Sequence, residues 1–505
     1  SQLTTTSAKA TFSNEFEGSL GYVQTPALGG VMVAKGDAVL FDEGDTEGDG
    51  AYYNYAQGDA TLAGAEFTVY NASAERVDVD LNANGVIDEG EVFATGEAIV
   101  TIATEYDADL DAYVAKTSED LLPYGTYLVR ETKAPEGYTE DGAVEKEFQV
   151  REDGKVYEFL YGDGELNEVA AGGVQVVKSD LELGASEALG GSSHNALDTG
   201  STLSGIEFTI ANASEHGVMV GGQWFHVGDE VMTIATRWNE GLQAYTAETS
   251  ADALPYGTYT VQETATNGSY LLTDGEPRTF EVRADGEVVT LSKDGDVLEF
   301  FNQVVRNDIE ISKKADDTNA AQQVAFKVTN VSTGEAHVVV TDRNGDFSSS
   351  SSWNRHSENT NGNDHLMDAD CITSDMMDPK AGVWFSVGED GTQAEVDDSL
   401  AAFPYGEYTL EELRSDANEG YQLISRTFWI DRDSSVARAV WMSLDDQPGA
   451  DIGTMATDKS DGDKLVWGPE VVIADEVFHD GLNIGETYTL VATLMDAETG
   501  EAVKK

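Results

Sequence analysis

The chain of 505 residues holds one cysteine, Cys371, and only 9 prolines. A single thiol cannot close an intrachain disulfide, so any covalent staple must use other chemistry. So few prolines exclude a proline-rich disordered linker. No apolar run approaches the length of a membrane span, and the opening residues SQLTTTSAKA lack a basic segment and a hydrophobic one. This stretch therefore reads either as excised from something larger, with leader and anchor outside it, or as not exported, and its internal repeats favour excision. Positive charge is scarce, with 29 Lys+Arg against 94 Asp+Glu and a net charge of -65. Such a field repels nucleic acid and anionic membranes, keeps an extended molecule soluble and suits cations. The 7 histidines are scattered and Cys371 has no partner motif, so no constellation for enzymatic turnover is present.

What the sequence does have is repetition. LPYGTYLVRET at 122–132 returns as LPYGTYTVQET at 254–264 and as FPYGEYTLEEL at 403–413. Each is followed by a turn ending in tyrosine: Tyr138, Tyr270 and Tyr421. Upstream of these lie AGAEFTVYNAS, SGIEFTIANAS and VAFKVTNVS; downstream come FQVREDGKV, FEVRADGEV and FWIDRDSSV. Apolar and polar residues alternate through these segments, punctuated by Gly, Asp and Asn, with little helical periodicity. The strands are too closely spaced for intervening helices. The expected fold is all-β: tandem immunoglobulin-like antiparallel β-sandwiches, arranged as beads on a rod. The units read as 30–170, 171–306 and 307–449, preceded by the tail of another unit at 1–29 and followed by a truncated one at 450–505. Residues 348–379, rich in Ser, Asn and Asp, read as a long surface loop inserted in the third unit.

These motifs resemble the SpaA or Cna-B (prealbumin-like) modules of Gram-positive pilins and adhesins. In such modules an apolar-x-apolar-x-Lys strand opens the domain, a Tyr-x-x-x-Glu strand sits in the middle and an Asn closes it. The tail, with IGTMATDKSDGDK and VVIADEVFHDGLNIGETYTLVATLMDAETG, resembles the VaFE or Thr–Gln ester-bond repeats of the same class of surface proteins. The resemblance implies an autocatalytic Lys–Asn isopeptide bond promoted by a buried glutamic acid. Carried over, it assigns Lys35, Glu131 and Asn167 to the first unit and Lys178, Glu263 and Asn302 to the second. In the third, IEISKK offers two lysines, and strand alternation places Lys313 on the face of Ile309 and Ile311. Glu412 stands as far after Pro404 as Glu131 does after Pro123, but Asp446 stands where an Asn is expected.

Residues 80–91, DLNANGVIDEGE, fit D-x-[DN]-x-[DN]-G-x5-E. That pattern offers Ca²⁺ the side chains of Asp80, Asn82, Asn84, Asp88 and Glu91 and the carbonyl of Val86. The second unit has no such insertion.

The resemblance implies an extracellular, Gram-positive cell-wall location and a monomeric adhesive or pilus-like stalk. Its partner would be a host or neighbouring-cell surface glycoprotein or matrix protein. Two other roles stay open at this stage: a pure spacer for an upstream binding head, and accessory modules of a secreted carbohydrate-active enzyme.

Overall fold

A computed structural model describes residues 10–12, 22–24, 26–43, 55–140, 145–160, 164–191, 194, 198–291, 299–315, 320–419, 421–445, 451–458, 472–480, 489–491 and 493. Nearly all regular structure in it is β-strand. Among the described residues no helix is long and apolar enough to cross a membrane.

Among the described residues three sandwiches follow one another. In the first, the opening strand Leu28–Asp37 pairs antiparallel with Ala112–Lys116. Its other side pairs with the closing strands Lys155–Phe159 and Glu165–Asn167, and these run parallel to it. The facing sheet is antiparallel throughout, in the order Lys146–Val150, Gly125–Lys133, Glu66–Asn71, Ala98–Ala103. The second unit repeats this plan. Ala171–Asp180 lies between antiparallel Ala244–Glu248 and parallel Val288–Leu291 and Phe300–Asn302. In the third, Ile309–Ala315 pairs antiparallel with Asp346–Ser348 and parallel with Val440–Asp445. The sandwiches are thus not antiparallel throughout, because first and last strands of each unit lie side by side and point the same way.

The period of two explains what enters each core. In Gly125–Lys133 the inward residues are Tyr127, Val129 and Glu131, all buried. Tyr259, Val261 and Glu263, and Tyr408, Leu410 and Glu412, occupy the same places. In the opening strands the inward series are Val31, Val33, Lys35; Val174, Val176, Lys178; and Ile309, Ile311, Lys313. The apolar members fix the register, and the alternation then carries a Lys and a Glu into the same interior. Each tyrosine hydroxyl donates to a proline carbonyl four residues back: Tyr127 to Pro123 at 2.6 Å, Tyr259 to Pro255 at 2.7 Å and Tyr408 to Pro404 at 2.8 Å. This bond holds the Pro-Tyr-Gly turn against the start of the strand.

Each unit has its own core, around Phe67 and Phe148 in the first, Phe208 and Phe280 in the second, and Phe326 and Phe403 in the third. A smaller cluster of Ala60, Leu62, Tyr138, Val169, Ala170 and Tyr256 seals the first joint. At the second joint the guanidinium of Arg306 is buried. It pairs with Glu182 at 2.7 and 2.9 Å, donates to the carbonyls of Phe385, Ala401 and Ala402, and lies 3.9 Å over the Trp384 ring.

The serine- and asparagine-rich insertion of the third unit differs from a surface loop. Leu366, Ile372 and Met377 are buried against Ala325, Val338 and Val340 on the outer face of a sheet. His337 fastens it, with Nδ1 2.8 Å from Asp364 and Nε2 3.1 Å from Glu335. In the tail the described residues form an antiparallel hairpin, Asp451–Asp458 with Ile473–Asp480.

Candidate cross-linking sites and the acidic loop

In the first unit the closing strand brings Asn167 opposite Asp37, two residues beyond Lys35 on the opening strand. Lys35 Nζ contacts Asn167 Oδ1 and lies 3.2 Å from Glu131 Oε1. Asn167 Nδ2 donates to the Thr139 carbonyl at 2.7 Å. All three functional side chains are buried. In the second unit Asn302 stands opposite Asp180 in the same register. Lys178 Nζ lies 2.9 Å from Glu263 Oε2, and Asn302 Nδ2 donates to Glu263 Oε1. Asn302 Oδ1 accepts from the Thr273 hydroxyl at 3.3 Å.

Burial pushes the titrating groups toward their neutral forms. Loss of hydration lowers both Lys35 and Lys178 below the usual lysine value, although the neighbouring glutamate opposes this in each case. The same loss raises Glu131 and Glu263 above the usual carboxylate range against the pull of the lysines. Neither Lys178 Nζ nor Glu263 Oε2 has a well-aligned hydrogen bond. Two charges would be poorly served there, whereas a neutral amine beside a protonated acid is not. Such a pair has the makings of a nucleophile and a proton shuttle within reach of a carboxamide.

The third unit brings Lys313 within 3.6 Å of Glu412 Oε2, both side chains fully buried. Glu412 Oε1 also accepts from Asn418 Nδ2 at 2.9 Å. Asn418 is occupied in a turn, its Oδ1 accepting the Ser415 N–H at 2.8 Å. Lys313 pairs with Leu444, two positions in sequence before Asp446, which lies outside the described residues.

Two features were missed in reading the sequence. Two residues past each lysine lies a buried aspartate, Asp37 or Asp180. The tyrosine of the Gly-Tyr or Ser-Tyr turn donates to it: Tyr138 to Asp37 at 2.9 Å, Tyr270 to Asp180 at 2.8 Å. The signal was present as KGD and KSD, against KKA in the third unit. The other is Glu165, buried opposite Lys35 where the second unit has Phe300 opposite Lys178. The first amine therefore faces one more carboxyl than the second.

The acidic loop is tightly knit. Gly85 has φ 80, and its N–H donates to Asp80 Oδ2 at 2.6 Å. Glu91 is buried and accepts the N–H groups of Leu81 at 3.0 Å and Asp88 at 2.8 Å. The amides of Asn82 and Asn84 both donate to Asp88 Oδ2, at 3.0 and 2.9 Å. The Val86 N–H donates to Asn84 Oδ1 at 2.7 Å. Among the described residues no three His, Cys, Asp or Glu side chains converge as a metal-holding group. A cation here would depend on the two asparagine oxygens and the Val86 carbonyl as well as the acids. An all-oxygen set of this kind fits a hard cation such as Ca²⁺.

Comparison with known proteins adds the following. No curated protein matches the chain. Among solved structures it is similar to the Bacillus anthracis TIE protein, with 17% identity and a TM-score of 0.42, covering 87% of this chain. The chain spans 58% of the length of that structure. It is also similar to BcpA, the major pilin subunit of Bacillus cereus, with 14% identity, a TM-score of 0.24 and coverage of 83% of this chain and 99% of that one. A third is the pilus adhesin SpaC from Lactobacillus rhamnosus GG, with 12% identity, a TM-score of 0.24 and coverage of 83% and 43%. The SpaA family, described as a prealbumin-like fold domain, matches residues 55–163 and 195–296, which hold the Tyr-x-x-x-Glu strands of the first two units. The T-Q ester bond containing domain matches residues 450–505. The chain thus carries SpaA prealbumin-like domains in tandem, followed by a T-Q ester bond domain.

Proposed function

We propose that the chain is a structural and adhesive stalk on the surface of a Gram-positive bacterium, hardened by Lys35–Asn167 and Lys178–Asn302 amide bonds. The observation that carries this reading is the twice-repeated burial of Lys, Glu and Asn together, joining first strand to last. In the reaction, the neutral lysine Nζ attacks the asparagine Cγ. The protonated glutamic acid polarises the amide carbonyl, then passes a proton to the departing nitrogen, which leaves as ammonia. One C–N bond forms and one breaks, so each site reacts once and nothing turns over. By the loop model used for disulfides, closing a loop of this length stabilises by roughly 4–5 kcal/mol. That is a large share of a typical domain stability of about 5–15 kcal/mol. The stalk works as a monomer, with a surface glycoprotein or matrix protein as its partner.

Intact-mass measurement tests the bonds. The folded chain should be lighter than its sequence by one ammonia for each of the first two units. Glu263→Ala should restore one of these losses and Glu131→Ala the other. An unmodified wild-type mass would overturn the assignment.

The 80–91 loop takes Ca²⁺ in this reading, with Asp80, Asn82, Asn84, Asp88, Glu91 and the Val86 carbonyl as ligands. Occupation requires the two asparagine amides to turn their oxygens inward. Because a ligand that binds only the native state stabilises it, Ca²⁺ should raise the unfolding temperature of the first unit alone. Asp80→Ala with Glu91→Ala should abolish that rise, and a calorimetric response unchanged by both would exclude the site.

A further inference from the structure

Both joints of the chain set a left-handed glycine of one unit on the Pro-Tyr-Gly turn of the next, and the first adds a carboxylate–arginine contact. At the first, Gln57–Ala60 lies across the Pro-Tyr-Gly turn of the second unit. Gly58 has φ +63, and a Cβ there would sit 2.0 Å from the Tyr256 carbonyl oxygen, so only glycine fits. The Gly58 N–H donates to Gly217 at 2.9 Å, and the Asp59 N–H to the Tyr256 carbonyl at 3.1 Å. The Asp59 carboxylate accepts the Glu215 N–H at 2.8 Å and the Thr258 hydroxyl at 2.6 Å, and lies 3.0 Å from Arg283 NH1. Arg283 in turn covers the Tyr256 ring at 5.0 Å. At the second joint Gly190 has φ +77, and its Cβ would lie 3.2 Å from the Tyr405 carbonyl oxygen. The Glu407 N–H donates to Thr199 at 2.7 Å, and Thr199 Oγ1 lies 2.8 Å from Ser332 Oγ. Each time, a left-handed glycine from one unit covers the Pro-Tyr-Gly turn of the next, and at the second joint Thr199 reaches the Asn-x-Ser turn.

The first unit has the receiving half of this joint. It carries the Pro123-Tyr124-Gly125 turn, Ser73 in Asn71-Ala72-Ser73, Thr126, and Arg151 where the second unit has Arg283. Arg151 covers the Tyr124 ring at 4.4 Å and donates to the Gly125 carbonyl at 2.7 Å and the Thr126 hydroxyl at 3.4 Å. Two things differ from the occupied copy. Tyr124 is 44% exposed where Tyr256 is 7% exposed. And among the described residues no carboxylate lies within ion-pair distance of Arg151, where Arg283 has Asp59. In a chain of net charge -65, a guanidinium fixed over a tyrosine without an acid is an unfilled half of a charge-assisted contact.

We propose that the Tyr124–Ser73–Thr126–Arg151 face is a docking surface for one kind of partner. That partner is a further β-sandwich of the same build, placed ahead of Leu28 and presenting a glycine followed by a carboxylate. Its glycine covers the Tyr124 carbonyl, and its carboxylate bridges Arg151 and Thr126. The inference rests on the glycine-on-turn placement seen at both joints and on the Asp59–Arg283 contact of the first, and is independent of the cross-links.

The test uses the full chain extended at its N-terminus by one further copy of residues 28–170, a stretch containing a whole core cluster. Hydrogen exchange at Ser73, Thr126 and Arg151 should be about ten-fold slower than in the unextended chain. The chain's own Asp59–Arg283 joint serves as the internal standard. Arg151→Ala in the receiving unit, or Asp59→Ala in the added one, should remove the protection, and the two together should remove no more than either. Thr126→Val, which keeps the side-chain shape, should act in the same direction and guards against a folding defect in Arg151→Ala. Equal exchange with and without the added unit, while the standard stays protected, would overturn the proposal. Self-association of the unextended chain that Arg151→Ala abolishes would overturn it too, by assigning the face to contacts between copies.

Discussion

At the end of the opening strand of the second unit, the Asp180 carboxyl is fully buried under the Tyr270 hydroxyl, with the N–H groups of Glu182 and Leu183 on its other oxygen. Loss of hydration dominates and raises its pKa from 3.8 to about 7. A group raised on folding contributes stability that is complete below its unfolded value and is lost as pH rises through the folded one. The second unit should therefore lose stability between about pH 4 and pH 7 through this residue. Asp180→Asn keeps an acceptor for the two N–H groups and cannot ionise, so it should flatten that part of a thermal-unfolding profile. An unchanged profile would show that Asp180 titrates as it does in the unfolded chain. The lysines, glutamates and asparagines were legible because each stands at a fixed place in a repeated phrase. Asp180 and Tyr270 were not, since an aspartate at a strand end reads as solvated and a tyrosine after a turn reads as core. Only their meeting, 90 residues apart in sequence, gives either a purpose.

Among the elements, the insertion of the third unit shows where pattern reading stops. Strands announce themselves by alternation, but Leu366, Ile372 and Met377 are spaced irregularly, and serine and asparagine between them read as loop. What holds the segment down is the His337 imidazole between two carboxylates on different elements. Burial alone would lower its pKa; the bonds to Asp364 and Glu335 outweigh that and raise it to about 9. The charged imidazolium therefore contributes fully below about pH 6.5, and the contribution is lost as pH rises through 9. The third unit should unfold at lower temperature at pH 9 than at pH 6.5, and His337→Gln should remove most of this slope. Exchange of the Leu366 and Ser386 amides, followed across the same range, separates loosening of the insertion from loss of the whole sandwich.

For the whole molecule, the threefold repeat was legible because a repeat needs no structure to be seen. The joints were not. Arg306 reads as a linker charge, and its partner Glu182 lies 124 residues earlier, in a loop without periodicity. Removing one member of a buried pair leaves the other unpaired and typically costs about 3–5 kcal/mol. Arg306→Ala should therefore loosen the second joint while leaving both cores intact. Small-angle scattering should show a broader spread of lengths for the variant, and amides at Glu389 and Tyr405 should exchange faster. Identical scattering would mean that backbone contacts alone hold the joint.

The parallel pairing of first and last strands has a consequence for load. Because the two strands point the same way, the chain enters each sandwich at one pole and leaves it at the other, as tension along the proposed stalk would require. Pulling those ends slides one strand lengthwise along its neighbour, so the rungs from Gly173–Val288 to Asp180–Asn302 are strained together, not opened one by one. An amide bond from Lys178 to Asn302 would cross the same seam near its far end. Its part would then be to stop the slip outright, while the ladder of hydrogen bonds beneath it absorbs the first pull.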